Sequence, residues 1–430
     1  MNFRHSPALW SVILVGTASF LHAAESVVVT LTPMQVSERT VANNRDLVAA
    51  RFSIRQAEAR LIQAGLRPNP ELEIGHQKEA GRISPGGEYG VSAGFKWRFP
   101  ITARLEQSKS LARVDIALAS AEVQNRAREL AGAAIGKARN LQLVSQKVAT
   151  NQELQDIIQK LIDTTENRVK TGEASTADVN LARIELQKLD LASAILLAEK
   201  SATEAELNQL LGRNPASELH ISGSATSDFD AGAMAAAARS ALSRRADRQM
   251  ALLQIDRASA EKALAKSEQW EDWTVGLGYT RDVAKFDSPI GTKTDNFIGI
   301  TLTIPLPLFN KNQGKIAEAE SNKQQAGANV SAIDLSIAAE MEAPAAEMRR
   351  LHEVLDRYQS ETLKLADDNI TLIQKGYTEG LVPITTVIQS QQQLRELRQG
   401  YLETLEAYTM ARTRWETAAG LVLPARGGKR

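Results

Sequence analysis

Outside its N-terminal segment the chain has three histidines, His76, His220 and His352, and it has no cysteine at all. Histidine is the side chain that most readily ligates a metal or relays a proton near neutral pH. These three are 144 and 132 residues apart and read as belonging to a strand, a linker and a long helix, so they predict no clustered site. Without cysteine, disulfides, thiol nucleophiles and thiolate metal sites are excluded. The adjacent acids Asp367 and Asp368 and the basic run "SRRADR" (243–248) read as solvated helix faces. "GLGYT" (276–280) reads as a glycine-bearing strand, and no phosphate loop, zinc-protease helix, nucleophile elbow or dinucleotide fingerprint occurs. The expectation is a protein that is not an enzyme and carries no cofactor. With 51 basic and 51 acidic residues, charge gives no reason to expect a nucleic-acid partner.

If the side chains do no chemistry, the elements themselves must do the work. Arg4 and His5 precede an apolar stretch from about Ala8 to Leu21, and "LHAAES" supplies small residues for cleavage after Ala23 or Ala24. Residues 1–23 are therefore expected to be an export signal. No later run of 18 apolar residues exists, so the sequence predicts no transmembrane helix. An exported chain of this kind reaches a membrane only through strands.

The rest reads as two copies of one plan. "SIRQAEARLIQAG" (53–65) is echoed by "QIDRASAEKALAKS" (254–267), and the glycine of "RVKTGEAST" (168–176) by that of "GYTEGLVPITT" (376–386). The first repeat is expected over 24–212, with strands at about 70–79 and 88–99 and a helical-hairpin tip at about 169–176. The segment 213–230, rich in Gly, Pro and Ser, reads as a linker. The second repeat is expected over 231–420, with strands at about 271–282 and 296–305, a tip at about 376–384, and a tail at 421–430.

In "YGVSAGFKWRFP" (89–100) apolar side chains alternate with Gly, Ser, Lys and Arg until Pro100 stops the pattern. Such strands have one apolar and one polar face. Trp97, Phe99, Trp270 and Trp273 cluster where strands begin or end, as a membrane-interface girdle does. Pro100, Pro305 and Pro307 mark the two strand-to-helix junctions, and "GRISPGG" and "DSPIGTKT" read as hairpin turns. The run from Thr102 to Arg168 predicts a helix of about 100 Å, at 1.5 Å per residue. Pro344 is expected to kink or break the corresponding helix of the second copy. Apolar seams at 3–4 spacing predict coiled-coil packing. A second stripe, Ile184, Leu191 and Ile195, calls for another neighbour. Four strands cannot close a barrel, because membrane barrels begin at about eight, so several chains must share one.

These residues resemble the outer membrane factors of tripartite efflux systems, the TolC-like family. "AGLRPNPELEIG" (64–75) looks like the family's first strand, and "PLPLFNKNQGKIAEAE" (305–320) like its second strand-to-helix junction, most like the CzcC-type heavy-metal branch. The resemblance spans about residues 33–420. It implies a fold of α+β class, mainly α: two tandem repeats, four strands per chain in a shared trimeric twelve-stranded barrel, and a long α-helical coiled-coil barrel beneath it. It implies a homotrimer in outer membrane lipid, with helices in the periplasm, an adaptor protein and an inner-membrane RND pump as partners, and passive exit of heavy-metal cations. The alternatives are a duct of the same fold for drugs or other small toxicants, or a soluble periplasmic coiled-coil adaptor.

The resemblance also implies gate residues at the tips, near the turn glycines Gly172 and Gly380. Aligned from Gly380, the family's gate tyrosine falls on Tyr377, while its arginine falls on Val382 and its two aspartates on Thr386 and Gln389. Asp178 is the first copy's acid at the equivalent level and faces either the lumen or solvent at a helix N-terminus. The family's Asn-Pro pair in its first helix is replaced by "NNRDL" (43–47), which is expected to alter how that helix begins.

Overall fold

Thr32 begins the helical part of the chain with a reciprocal cap. Its hydroxyl accepts from the Gln35 N–H, the Gln35 side chain accepts from the Thr32 N–H, and Pro33 occupies the first helical position. The computed structural model describes residues 29–78, 88–223, 225, 228–287 and 290–423. The expected export signal and the "GRISPGG" turn (81–87) lie outside them, as do residues 424–430 of the expected tail.

The first half runs β1 (Val29–Leu31), α1 (Pro33–Asn43), α2 (Arg45–Ala50), α3 (Phe52–Ala64), β2 (Glu71–Lys78), β3 (Tyr89–Phe99), α4 (Arg104–Lys170) and α5 (Thr176–Leu210). The second half repeats the order: β4 (Leu219–Ile221), α6 (Ala231–Arg244), α7 (Ala246–Ser267), β5 (Trp273–Asp287), β6 (Ile290–Thr303) and α8 (Gln313–Arg357). A π-helical turn (Tyr358–Thr362), α9 (Leu363–Thr378) and α10 (Ile384–Ala418) complete it. α5 and α10 are both 35 residues long. Each is followed by a glycine in the left-handed region, Gly212 and Gly420. α4 has 67 residues, about 100 Å of helix.

Four places differ from the sequence expectation. The 213–230 segment is not all linker: Leu219 and Ile221 are buried, and β4 pairs in parallel with β1, Val29 opposite Leu219. The second strand hairpin is longer than expected. β5 and β6 stay in register to Asp287 opposite Ile290, so most of "DSPIGTKT" is strand, as Thr292 and Thr294 favour. Pro344 does not break α8, which continues through it with the ring buried. The interruption comes at the π-helical turn, after which the backbone remains helical to Thr378.

"SRRADR" is not a solvated face. Arg245 separates α6 from α7 and is 3% exposed. Its guanidinium donates to Asp247 at 2.8 Å, to Glu340 at 2.7 Å and to the Ala418 carbonyl at 3.1 Å. It thereby joins α7, α8 and the end of α10, where a cation is favoured by the helix dipole. The "NNRDL" departure also acquires a physical account. Asn44 caps α2 by accepting from the Leu47 N–H at 3.0 Å and donates to the Leu210 carbonyl at 2.9 Å.

β2, β3, β5 and β6 form one antiparallel sheet in that order. The core lies in the helices, in separate clusters along their length. Leu143, Met348, Leu355, Leu405, Tyr408 and Trp415 form one, and Leu154, Ile158, Leu161, Val179, Val387 and Ile388 another close to the tips. Among the described residues no helix is long and apolar enough to cross a membrane.

Arg245→Ala is expected to destabilise the helical part by about 1–3 kcal/mol, because it removes the buried guanidinium that joins Asp247, Glu340 and the Ala418 carbonyl. Thermal loss of the helical circular-dichroism signal in detergent measures this. A change within that of an exposed control such as Arg414→Ala would refute the structural weight given to Arg245.

Candidate functional site

Strand register sorts the sheet into two unlike faces. Leu72 lies opposite Phe95, Phe95 opposite Leu277, and Leu277 opposite Ile300. Trp97, Val275 and Leu302 form the next row on the same face, and Ile74, Ala93, Tyr279 and Ile298 a row on the other side of it. The opposite face carries Glu71, Glu73, Ser92, Lys96, Arg98, Thr274 and Thr301, with Gly94, Gly278 and Gly299 in one row. Two ion pairs cross it, Lys96 with Glu73 and Arg98 with Glu71, each at 2.5 Å. The apolar side chains are strongly exposed in the single chain: Ile298 80%, Ile300 79%, Ile74 75%. Neither β2 nor β6 has a partner along its outer edge among the described residues.

All four predicted girdle aromatics stand at the helix end of this sheet. Trp97 and Phe99 touch, their ring centroids 5.7 Å apart, and Phe99 lies opposite Trp273. Trp270 precedes β5 in the turn after α7 and is exposed. Trp97 shares the face of Phe95 and Leu302, which puts it on the apolar side. Pro100 follows β3 directly, while Pro305 and Pro307 follow β6. Arg104, at the head of α4, donates to Asp272 at 2.7 Å and so ties the first junction to the base of β5.

At the far end of the helices the two tips are built alike. Gly172 has φ +80° and Gly380 φ +78°. The N–H of Glu173 bonds the Arg168 carbonyl, and that of Leu381 bonds the Gly376 carbonyl, both at 2.8 Å. This is the six-to-one helix-ending bond that a left-handed glycine permits. Tyr377 is 4% exposed, and its hydroxyl sits 2.8 Å from the Thr165 hydroxyl. Arg168 lies with its guanidinium carbon 4.8 Å from the centre of the Tyr377 ring and donates to the Tyr377 carbonyl. A cation therefore sits on both the ring face and the exposed end of α9.

The other predicted tip residues are not drawn into this contact. Asp178 is half-buried and closes a capping box, accepting from the Ser175 N–H at 2.9 Å. Thr386 is half-buried in the first turn of α10, and Gln389 is exposed. Sequence reasoning missed Thr165 and Arg168, although their place in the last turns before Gly172 was the available signal. It also missed Glu185. That side chain, 5% exposed, accepts from Arg395 at 2.8 Å and Gln392 at 3.1 Å on α10, and from Lys188 at 3.1 Å. Burial pushes the Glu185 carboxyl up, but the Lys188 and Gln392 hydrogen bonds and the Arg395 charge outweigh it and hold it below the usual carboxylate range. The histidines lie on β2, β4 and α8. His352 stacks on Phe229 with centroids 5.6 Å apart. Among the described residues no group of three or more His, Asp or Glu is placed to hold a metal.

The arrangement is thus a sheet that is apolar on one side, polar on the other and unclosed, mounted on helical hairpins with interlocked tips. Known proteins resemble the chain in sequence and in fold. Residues 237–421 match the family model described as "Outer membrane efflux protein". The chain is 23% identical over 392 residues, 86% of each protein, to the cobalt-zinc-cadmium resistance protein CzcC of Cupriavidus metallidurans. Its fold is similar to solved CusC (TM-score 0.71, 17% identity, 90% of this chain and 92% of that one). It is also similar to VceC of Vibrio cholerae (TM-score 0.65, 16% identity, 90% and 96%) and CmeC of Campylobacter jejuni (TM-score 0.66, 13% identity, 98% and 94%). The chain thus has the fold of these solved outer membrane channels, and its second repeat matches the outer membrane efflux protein family.

Proposed function

We propose that three copies of this chain close a twelve-stranded barrel and form a passive exit duct for heavy-metal cations, fed by a periplasmic adaptor and an inner-membrane RND pump. The observation that carries the assembly is the two-faced sheet with both edges open. In lipid each unpaired backbone group is unfavourable by several kcal/mol, so only closure is stable. The exposed second stripe on α5 supports the same reading: Ile184, Leu191 and Ile195 are 51%, 69% and 70% exposed in one chain. A heavy-metal cargo is supported by the likeness to CzcC and by the 305–320 segment. Ion choice in such a system belongs to the pump and adaptor, since no clustered ligands stand among the described residues. Drugs or other small toxicants are the alternative cargo. Deletion of the gene followed by growth on zinc, cobalt and cadmium, against detergents and drugs, decides between them. Sensitivity to detergents and drugs alone would remove the metal assignment.

In this reading the tips form the gate, and the Tyr377–Thr165–Arg168 contact holds α9 against α4. One neutral hydrogen bond contributes about 0.5–1.5 kcal/mol, and a trimer loses three when Tyr377 becomes Phe. Tyr377→Phe is therefore expected to raise single-channel conductance or open probability in planar bilayers. Unchanged conductance would show that the tip is closed by other contacts.

Glu185 is the second fastening. Its depressed folded-state pKa means its contribution is complete above about pH 4.3, the unfolded value, and is lost as pH falls through the lower folded value. Protease resistance of the tips should drop in Glu185→Gln at neutral pH, and the gap to the native protein should narrow only in strong acid. An equal gap at all pH values would contradict this.

A further inference from the structure

We propose that Ile304–Phe309, the segment between β6 and α8, is an interfacial anchor seated in the phospholipid headgroup layer on the periplasmic side of the outer membrane. The proposal rests on the barrel reading and goes beyond it. On β6 the apolar face consists of Ile298, Ile300 and Leu302. The same alternation continues past the last paired residue, Thr303, as Ile304, Leu306 and Leu308, with Pro305 and Pro307 between them. Leu306 is 65% exposed, Leu308 68% and Phe309 91%.

The neighbouring strands fix how far this stripe overruns. Thr274 is opposite Thr303, so the Phe99–Trp273 row stands level with Ile304. Leu306 and Leu308 lie two and four residues beyond that row. Fully extended, these steps reach about 7 and 13 Å, and a headgroup layer is about 5–8 Å thick. The reach is shortened because the Leu308 N–H turns back onto the Leu306 carbonyl at 2.9 Å. The segment therefore spans the headgroup layer and ends at its outer margin, where Asn310 and the exposed cation Lys311 follow. Aromatic and apolar side chains beside a cation suit an interface that contains anionic phosphate.

The exposure is presented by a built junction. Pro305 and Pro307 restrict the backbone. Asn312 takes a left-handed conformation with φ +57°, its N–H bonds the Asn310 side chain at 3.0 Å, and its own amide reaches the Ala265 carbonyl of α7 at 2.8 Å. A second copy is the less suitable occupant. A chain added to β6 pairs along the strand edge, in the plane of the sheet, whereas Leu306 and Leu308 lie beyond Thr303, the last paired residue of that edge.

The cysteine-free sequence makes the test direct. Single variants Phe309→Cys and Ile300→Cys are labelled with a fluorophore in the membrane-extracted protein, after confirming that each keeps its oligomeric state. They are reconstituted into phosphatidylethanolamine–phosphatidylglycerol vesicles. Quenching is compared among lipids with a nitroxide at the headgroup, lipids with a nitroxide deep in the acyl chain, and aqueous iodide on both sides. At 309 the headgroup quencher should exceed both the deep quencher and iodide by at least about twofold, since interfacial segments sit about 5–10 Å into the boundary. Free quenching by iodide at 309 would overturn the anchor by placing the segment in water. Protection from all three quenchers would overturn it by placing another chain over the segment. The Ile300 label reads the barrel separately. Deep lipid quenching there with failure at 309 removes only the anchor, whereas no lipid quenching at 300 removes the barrel reading as well.

Discussion

An unpaired strand edge in lipid is the constraint on which the rest of this molecule depends. β2 alone is eight residues long, and an open edge leaves about half of its residues with N–H and C=O groups facing outward. At several kcal/mol per group in hydrocarbon, that penalty exceeds the 5–15 kcal/mol that holds a typical domain together. The sheet therefore has no stable existence in a membrane as four strands. Its two faces, Ile298–Ile300–Leu302 on one and the Lys96–Glu73 and Arg98–Glu71 pairs on the other, acquire their purpose only when the edges meet.

In the proposed trimer the helices follow from the same closure. A ring of strands needs a ring of supports, and each supporting helix then has neighbours on two sides. α5 shows the consequence directly: Val179, Ala182 and Leu189 are buried within the chain, while Ile184, Leu191 and Ile195 on its other stripe are left uncovered. Length is supplied by an unbroken α4 and by the run from α8 to α9, in which the helical backbone absorbs both Pro344 and the π-helical turn without a loop.

Much of this was legible because it is periodic. Strand alternation, seam spacing and the glycines at 172 and 380 are local signals, and the fold reproduces them. What escaped reading was set by distant contacts. Arg245 looked solvated because Glu340 and the Ala418 carbonyl are far away in sequence. β4 looked like linker because three residues with no turn chemistry of their own become a strand only when β1 lies beside them. Thr165, Arg168 and Glu185 carry no motif; their role appears only when α9 and α10 are laid against α4 and α5.

The duplication explains why the interlock at the tips has a direction. Both copies end their long helix with the same glycine and the same six-to-one bond, so the backbone scaffold is common. Three residues before the glycine, however, the first copy has Val169 and the second Tyr377. A valine side chain cannot hydrogen-bond, so the hydroxyl contact between the tips comes only from the second copy's tyrosine. The first copy's groups that meet Tyr377, Thr165 and Arg168, correspond to Ile373 and Gly376 in the second copy, where neither a hydroxyl nor a guanidinium is available. One scaffold, used twice, thus becomes one hairpin that carries Thr165 and Arg168 and another that meets them through Tyr377, with the Glu185 contacts to Gln392 and Arg395 as a second fastening. The contact adds a local polar lock to the apolar cluster in which Tyr377 also packs, and in the proposed gate it is the part that can be released without dismantling the wall.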